Sequence, residues 1–510
     1  MIPSEFRPRP VRHWGRVLSV PLLLLLAVAV TGCVSTGINP VTGDTRVFGY
    51  TWQEELKIGR RADDQIRRKY GIYEDEALQE YVDEVARNVL TESDLRRPST
   101  RKKFRKTEFH FRVLDSPAVN AFALPGGYVY VTRGLLAHLN NEAQLAVVLG
   151  HEIAHVAARH ASQQVAQKKL TRGLLLSGAI IGQAALGGNV GRKIMGIGGT
   201  AAKLISLRYS RAHERQADRL GVEYAAKAGY DAAEASGFFT ALKRLQKQSG
   251  HTLPTWKSTH PDPGAREDRV VKLAKKWRKK AEGAQTIQDQ ADYYDAIERL
   301  VMGDNPRRGF TEDGVFYHPN LAFRFPVPVG WTVRNDTRQV ALVQPNREAY
   351  VVFERARTDT LRAAVGRFVR KRGVTVVGRH RTTVNGLKAW RLLATARTRK
   401  GVPLRLMVYY IAYEGRVYQF KGLTRAGQFI AYQQVFERTM TGFAALEDRD
   451  ILTLQPPRLS IHPAARRDAF RTFVSAETLP KAITITDVAI LNQIRLGKTV
   501  AQGRPLKLVK

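Results

Sequence analysis

Residues Glu142 to His160 read E-A-Q-L-A-V-V-L-G-H-E-I-A-H-V-A-A-R-H. Leu145, Val148, Leu149, Ile153 and Val156 recur at steps of three and four, the spacing of a helix that buries one face against a core. His151 and His155 are four positions apart, so their imidazoles stack one turn over the other across about 5.4 Å. Two neutral ring nitrogens so arranged can hold one divalent cation. Glu152 points about 100° away around the helix. It is badly placed to join both histidines on a metal and well placed to reach a water there. A zinc ion with three protein ligands keeps one position open, lowers the pKa of water toward about 7 and polarises a carbonyl. A neighbouring carboxylate takes the water's proton and gives it to a leaving amine. The surrounding Ala, Val and Ile argue against two solvated surface histidines, because an unpaired imidazole among them is costly.

A third ligand is expected on a second helix downstream. Tyr209 to Ala228 reads Y-S-R-A-H-E-R-Q-A-D-R-L-G-V-E-Y-A-A-K-A, with Glu214 and Asp218 one turn apart. Glu214 fits as the closing ligand, and Asp218 as the carboxylate that holds a ligand histidine in the correct tautomer. His213 and Glu223 are the rival candidates in this stretch. His213 projects about 100° from Glu214 and reads as a solvated or capping residue.

Five separated motifs now agree: H-E-I-A-H, H-E-R-Q-A-D, the upstream N-A-F-A-L-P-G-G-Y-V-Y-V from Asn120, S-T-H-P at residues 258 to 261, and N-P-V-T-G from Asn39. Together, over residues 33 to 305, they resemble the periplasmic BepA-type zinc metalloproteases, relatives of HtpX and of the CAAX prenyl proteases. The resemblance implies a mainly helical zincin (minigluzincin-like) peptidase domain with a small sheet and one Zn²⁺ per chain. It also implies a cleft bordered by the strand Tyr128 to Thr132, with Asn120, Ala121, Tyr128, Val129 and Tyr130 contacting an extended substrate added as a strand. By itself, His260 is a histidine in a turn. By its match to S-T-H-P it becomes a residue near the zinc, either blocking the open position at rest or steadying an oxyanion, and Arg266 would pin its loop.

The first 32 residues read as an address: Arg7, Arg9, Arg12 and Arg16, then an apolar run from Val17 to Val30 of signal-peptide rather than membrane-spanning length. Val30-Thr31-Gly32-Cys33 is similar to a bacterial lipobox, so export, cleavage before Cys33 and acylation of its thiol are expected, with membrane attachment through the acyl chains. Val34 in place of Asp favours the outer membrane, with the chain facing the periplasm. Cys33 is the single cysteine, so no disulfide supports the exported chain and a hydrophobic core must. With 510 residues and 44% hydrophobic content, there is material for it. The net charge of +36 is spread over an arginine-rich surface. For an exported chain it suits lipopolysaccharide, anionic lipid or acidic protein segments rather than nucleic acid.

Along the rest of the chain, residues 51 to 92 read as two polar amphipathic helices and Arg96 to Lys106 as an exposed basic loop before a strand at Phe109 to Leu114. Gly173 to Thr200, apolar and glycine-rich, reads as a helical insertion over the cleft, with a membrane-touching hairpin as the alternative. Gly303-Asp304-Asn305-Pro306 ends the peptidase domain, assigned to residues 33–306. BepA continues into a helical repeat array, but here no period of about 30 to 45 residues follows position 310. Residues 310–445 read instead as an α+β domain, with strands at Leu321 to Phe325, Val340 to Val343 and Tyr350 to Glu354. Helices are expected at Thr360 to Arg372 and Gln428 to Met440, and hairpin turns at Asn385-Gly386 and Glu414-Gly415. Residues 450–510 are weakly similar to a LysM peptidoglycan-binding module, without its usual opening.

The whole is thus expected to be an α+β multidomain metalloendopeptidase lipoprotein whose substrates are misfolded or stalled envelope proteins. The outer-membrane assembly machinery is a candidate partner, and chaperone-like holding a candidate second activity. The competing reading is a non-proteolytic envelope chaperone, or a peptidoglycan-binding tether, with a structural zinc.

Overall fold

A computed structural model of the protein describes residues 34–176, 204, 205, 207–248, 256, 260, 266–280, 287, 289–398, 401–480 and 483–510. The expected signal segment and Cys33 lie outside the described residues, as do positions 177–203 of the glycine-rich stretch. No helix among the described residues is long and apolar enough to cross a membrane.

The chain enters through a hairpin, β1 (Ser35–Ile38) and β2 (Thr45–Phe48), closed by the N-P-V-T-G motif. Gly43 takes φ 75° there, a left-handed conformation that glycine adopts without strain. Helices α1 (Trp52–Tyr70) and α2 (Glu76–Thr91) follow. α1 begins with a capping box, the Thr51 side chain accepting from Glu54 N–H while the Glu54 carboxylate accepts from Thr51 N–H. A three-stranded sheet comes next: β3 (His110–Leu114), β4 (Ala121–Leu124) and β5 (Tyr128–Thr132). The strand order is β3-β5-β4, with β5 parallel to β3 and antiparallel to β4.

Helix α3 (Glu142–Ala157) is capped by Asn141, whose side chain accepts from Gln144 N–H at 2.9 Å. Every residue from Ala143 to Ala157 is buried. The one-sided burial expected from its periodicity understates it; α3 is wrapped on all sides, as a helix apolar around its whole circumference must be. It packs on β4, α2, α5 (Arg211–Lys227) and α6 (Ala235–Gln248). The stretch quoted above is also two helices rather than one. Arg159 takes φ 58° and turns the chain into α4 (His160–Leu176). The turn lets the buried Arg159 guanidinium bond the buried Glu55 carboxylate at 2.6 Å and lie over the Phe48 ring at 3.5 Å. Helices α7 (Arg266–Lys280) and α8 (Gln290–Ile297) complete this part of the fold.

Residues 310–445 form a separate α+β unit. A small sheet, β6 (Phe310–Glu312), β7 (Val315–His318) and β8 (Phe323–Pro326), leads into a seven-stranded antiparallel sheet. Its strands are β9 (Thr332–Asn335), β10 (Gln339–Val343), β11 (Ala349–Arg355), β12 (Val374–Val384), β13 (Leu387–Arg397), β14 (Pro403–Tyr413) and β15 (Arg416–Arg425). Helices α9 (Leu361–Val369) and α10 (Phe429–Thr441) cover its opposite faces. Asn385-Gly386 and Glu414-Gly415 sit at the two long hairpin turns with positive φ at all four residues, the type I′ geometry those dipeptides favour.

After β16 (Ala444–Ala445), which pairs with β8, the last stretch pairs β17 (Leu459–Pro463) with β20 (Pro505–Val509). Between them lie the short pair β18 (Asp468–Ala469) and β19 (Thr499–Val500) and helix α11 (Ile485–Leu491). Its buried residues Leu459, Phe470, Val488 and Leu506 belong to the same apolar cluster as α3 and α5. Lys507 is fully buried at this junction and donates to the carbonyls of Ala137 and Leu139 at 2.6 and 2.8 Å. The tail is therefore built into the core around α3.

Candidate metal centre

α3 and α5 cross with His151 and His155 on one side and Glu214 on the other. The His151 and His155 Nε2 atoms are 3.0 Å apart. Glu214 places Oε2 3.6 Å from His151 Nε2 and Oε1 3.6 Å from His155 Nε2. His260 brings its Nδ1 to 3.2 Å from His151 Nε2 and 3.2 Å from both Glu214 oxygens. All four residues are buried, and one donor atom from each lies within 4.8 Å of the others. A regular tetrahedron with metal bonds of about 2.0–2.1 Å has edges of about 3.3–3.4 Å. Separations of 3.0 to 3.6 Å link His151 with His155, both of them with Glu214, and His260 with His151 and Glu214, close to those edges.

The tautomers support the same conclusion. His151 Nδ1 lies 3.1 Å from Asp218 Oδ1, so the ring proton sits on Nδ1 and donates to the carboxylate. His155 Nδ1 lies 2.9 Å from His160 Nδ1, and His160 Nε2 lies 3.1 Å from Gln216 Oε1. His160 therefore donates to Gln216 and accepts from His155. Both Nε2 atoms of the pair then turn lone pairs toward the same point, an arrangement that a cation between them satisfies. The donor set of imidazole nitrogens and one carboxylate is the zinc type.

Electrostatics keep the ligands in binding form. Burial, more than its histidine neighbours, holds His155 well below the ordinary imidazole value, and burial pushes His160 down to about 3; both are neutral near pH 7. Burial alone would raise the Asp218 and Glu214 carboxyls. Arg266 and His151 overcome it for Asp218, and His260, His151 and Arg266 for Glu214, so both stay below the usual carboxylate range. Glu152 is the opposite case: burial raises it, and His260 and His151 offset this only in part. Neither Glu152 oxygen has a hydrogen-bond partner among the described residues, and His260 Nε2 lies 3.4 Å from Oε1. A buried carboxylate with free lone pairs beside such a cluster has the chemistry of a general base.

The residues expected from sequence to share one site, His151, Glu152, His155, Glu214, Asp218 and His260, are brought together. The rivals lie elsewhere. His213 stacks on His160 at 4.4 Å, and Glu223 pairs with Arg97, Arg219 and Lys227. The assignment of Tyr128, Val129 and Tyr130 to substrate pairing is corrected. β5 is the central strand, both its edges already carry ladder bonds, and the Tyr130 hydroxyl donates to buried Asp63 at 2.8 Å. The strand with an outer edge unpaired among the described residues is β4, which starts at Ala121 next to Asn120 and lies against α3.

Several contacts had no signal in the sequence. His160 supports His155 only because the chain reverses at Arg159. Arg266 bonds Asp218 directly and lies 3.5 Å from Glu214. Tyr209 stacks on His155 at 4.1 Å and Trp256 on His260 at 4.4 Å, walling both sides of the cluster. The Trp256 N–H also donates to Val119 O at 3.2 Å, reaching the start of the β4 edge, and the His260 N–H donates to Trp256 O at 2.8 Å.

The peptidase family M48 model matches residues 76–274, which include every cluster residue. The beta-barrel assembly-enhancing protease of Escherichia coli K12 is 27% identical over 272 residues, covering 51% of each chain. A Vibrio cholerae protein provisionally given the same name is 32% identical over 246 residues, 46% of this chain and 45% of that one. Mitochondrial metalloendopeptidase OMA1 of Bos taurus is 36% identical over 170 residues, 32% and 31% of the two chains. The chain thus spans about half the length, or less, of the curated relatives it matches. Residues 76–274 belong to peptidase family M48, as a domain of the kind the beta-barrel assembly-enhancing proteases carry.

Proposed function

We propose that this chain is a zinc-dependent metalloendopeptidase of the bacterial envelope, held to the outer membrane through acylated Cys33 and facing the periplasm. Its substrates are misfolded or stalled envelope proteins, including those bound for outer-membrane assembly. The observation that carries the reading is the buried cluster of His151, His155, Glu214 and His260 donors, with the Glu152 carboxylate, unpartnered among the described residues, beside it.

His151, His155 and Glu214 would hold one zinc, which when bound supplies a Lewis acid for the scissile carbonyl and lowers the pKa of water. Glu152 accepts the proton of the attacking water and delivers it to the departing amine. Asp218, clamped by Arg266, fixes the His151 ring, and His160 fixes that of His155. An extended substrate adds to the free edge of β4 rather than to β5, entering beside Asn120, whose side-chain oxygen is buried without a partner among the described residues. At rest, His260 Nδ1 sits against His151 and Glu214, where it would occupy the open metal position, and the Trp256 backbone N–H bonds Val119 O just before β4, so these two residues cover the metal position and the entry to the substrate track.

A second reading has one observation on its side: four protein donors make a closed site of the structural kind, as a chaperone or tether with a structural zinc would have. Glu152→Gln separates the two. The enzyme reading expects the variant to keep its metal and its fold and to lose cleavage of an unfolded test protein. Full cleavage by this variant would overturn it.

A further inference from the structure

The end of the molecule away from the metal carries a cationic face that the peptidase chemistry does not use. α5 and α7 run side by side in the same direction. Near their starts Asp218 meets Arg266 and Arg269, and near their ends Lys227 lies over the Trp277 ring at 5.1 Å. Lys272, Lys275, Lys276, Lys279 and Lys280 are exposed at steps of three and four on the last turns of α7, one face of the helix, where its C-terminal dipole favours cations. Trp277 is partly exposed between Lys227 and Lys280, whose Nζ lies 4.9 Å from the ring centre.

The basic stretch from Arg96 to Lys106 is tied to the end of α5 through Arg97. Arg97 bonds Glu223 at 3.1 Å, the same carboxylate that Lys227 reaches at 2.7 Å. Arg96 donates to Arg105 O at 2.9 Å and Thr107 O at 2.8 Å, folding the loop back on itself, and Phe104 is buried against Trp52 at 4.9 Å. Where the sequence suggested an exposed loop, Lys102–Arg105 form a short helix anchored in the core through Phe104, and Arg101, Lys102, Lys103, Arg105 and Lys106 are exposed on and beside it. None of these five, nor the five lysines of α7, is ion-paired among the described residues. Glu223 already serves three cations, and Asp231 is bonded by Arg278.

We infer that this face, Arg101–Lys106 with Lys227 and the Lys272–Lys280 end of α7, is a docking surface for an anionic phospholipid bilayer. A dense array of unpaired Lys and Arg matches a plane of phosphate headgroups, each cation near such a surface adding to the attraction. A partly exposed tryptophan flanked by lysines is the amphipathic element that settles at the headgroup level. An acidic protein partner would leave Trp277 without that role.

The test is partition of the full chain between vesicles of phosphatidylcholine alone and of phosphatidylcholine mixed with phosphatidylglycerol. An acyl anchor contributes to both and cancels in the ratio. The chain should favour the anionic vesicles by about two orders of magnitude at low salt, and the preference should vanish at high salt. Lys275→Glu/Lys276→Glu/Lys279→Glu/Lys280→Glu and Arg101→Glu/Lys102→Glu/Lys103→Glu/Lys106→Glu should each lose most of it with unchanged melting temperature. Arg370→Glu/Arg372→Glu/Arg379→Glu/Arg381→Glu, the same charge change on the α+β unit, should keep it. Equal partition of the unmodified chain, an undiminished ratio in the patch variants, or an equal loss in the control would overturn the inference.

Discussion

Gly150 and Gly221 meet where α3 crosses α5. A methyl group on Gly150 would lie 2.8 Å from the Gly221 carbonyl oxygen, and one on Gly221 would lie 2.7 Å from the His151 backbone nitrogen. No side chain fits between the two backbones, and this close approach is what lets Glu214 and Asp218 reach the imidazoles of the facing helix. Gly221→Ala should force the helices apart at a cost of about 1–3 kcal/mol and lower zinc content as well as stability. Urea denaturation with metal analysis checks this. A variant of unchanged stability and full zinc content would show that the contact does not set the site.

His260 offers a second prediction. Its Nδ1 lies 3.2 Å from His151 Nε2 and from both Glu214 oxygens, and the proposed role is to occupy the open metal position at rest. His260→Ala should retain zinc on the other three ligands and cleave an unfolded test protein faster than the unmodified chain. Loss of cleavage with zinc retained would instead assign His260 to turnover.

Lys507 gives a pH signature. Burial holds its ammonium well below the ordinary lysine value, and no carboxylate among the described residues is bonded to it. Below the unfolded value of about 10.4, the unfolded chain binds the proton that the folded chain releases, so stability rises as pH increases toward that value. Lys507→Met removes the titration. The difference in unfolding free energy between the unmodified chain and this variant should shift in favour of the unmodified chain from about pH 7 to about pH 10. Parallel pH profiles would contradict the assignment.

What the sequence made legible follows from what is local. Helical spacing alone brings His151 and His155 onto one stretch and Glu214 with Asp218 onto another, and short dipeptides such as Asn385-Gly386 mark their own turns. The contacts that complete the site are tertiary. His160 faces His155 only through the left-handed residue Arg159. Asn39 of N-P-V-T-G proves to donate to Ala158 O at 3.3 Å, capping the end of α3, a role its turn signature does not contain. Strand order in the β3-β5-β4 sheet is likewise set by which edges pair across distance. The Y-V-Y-V run therefore reads as an open strand and folds as the central one. The docking of residues 459–510 into the core around α3 rests on scattered single residues, Phe470, Val488 and Lys507 among them, with no periodic pattern to announce it.

The central claim is a single metal held by His151, His155 and Glu214. The most direct measurement is metal content by mass spectrometry on the purified full chain beside His155→Ala and Glu214→Ala. About one zinc per chain is expected for the unmodified protein, with little or none in either variant. Absence of stoichiometric metal in the unmodified chain, or the same content in all three, would contradict the account.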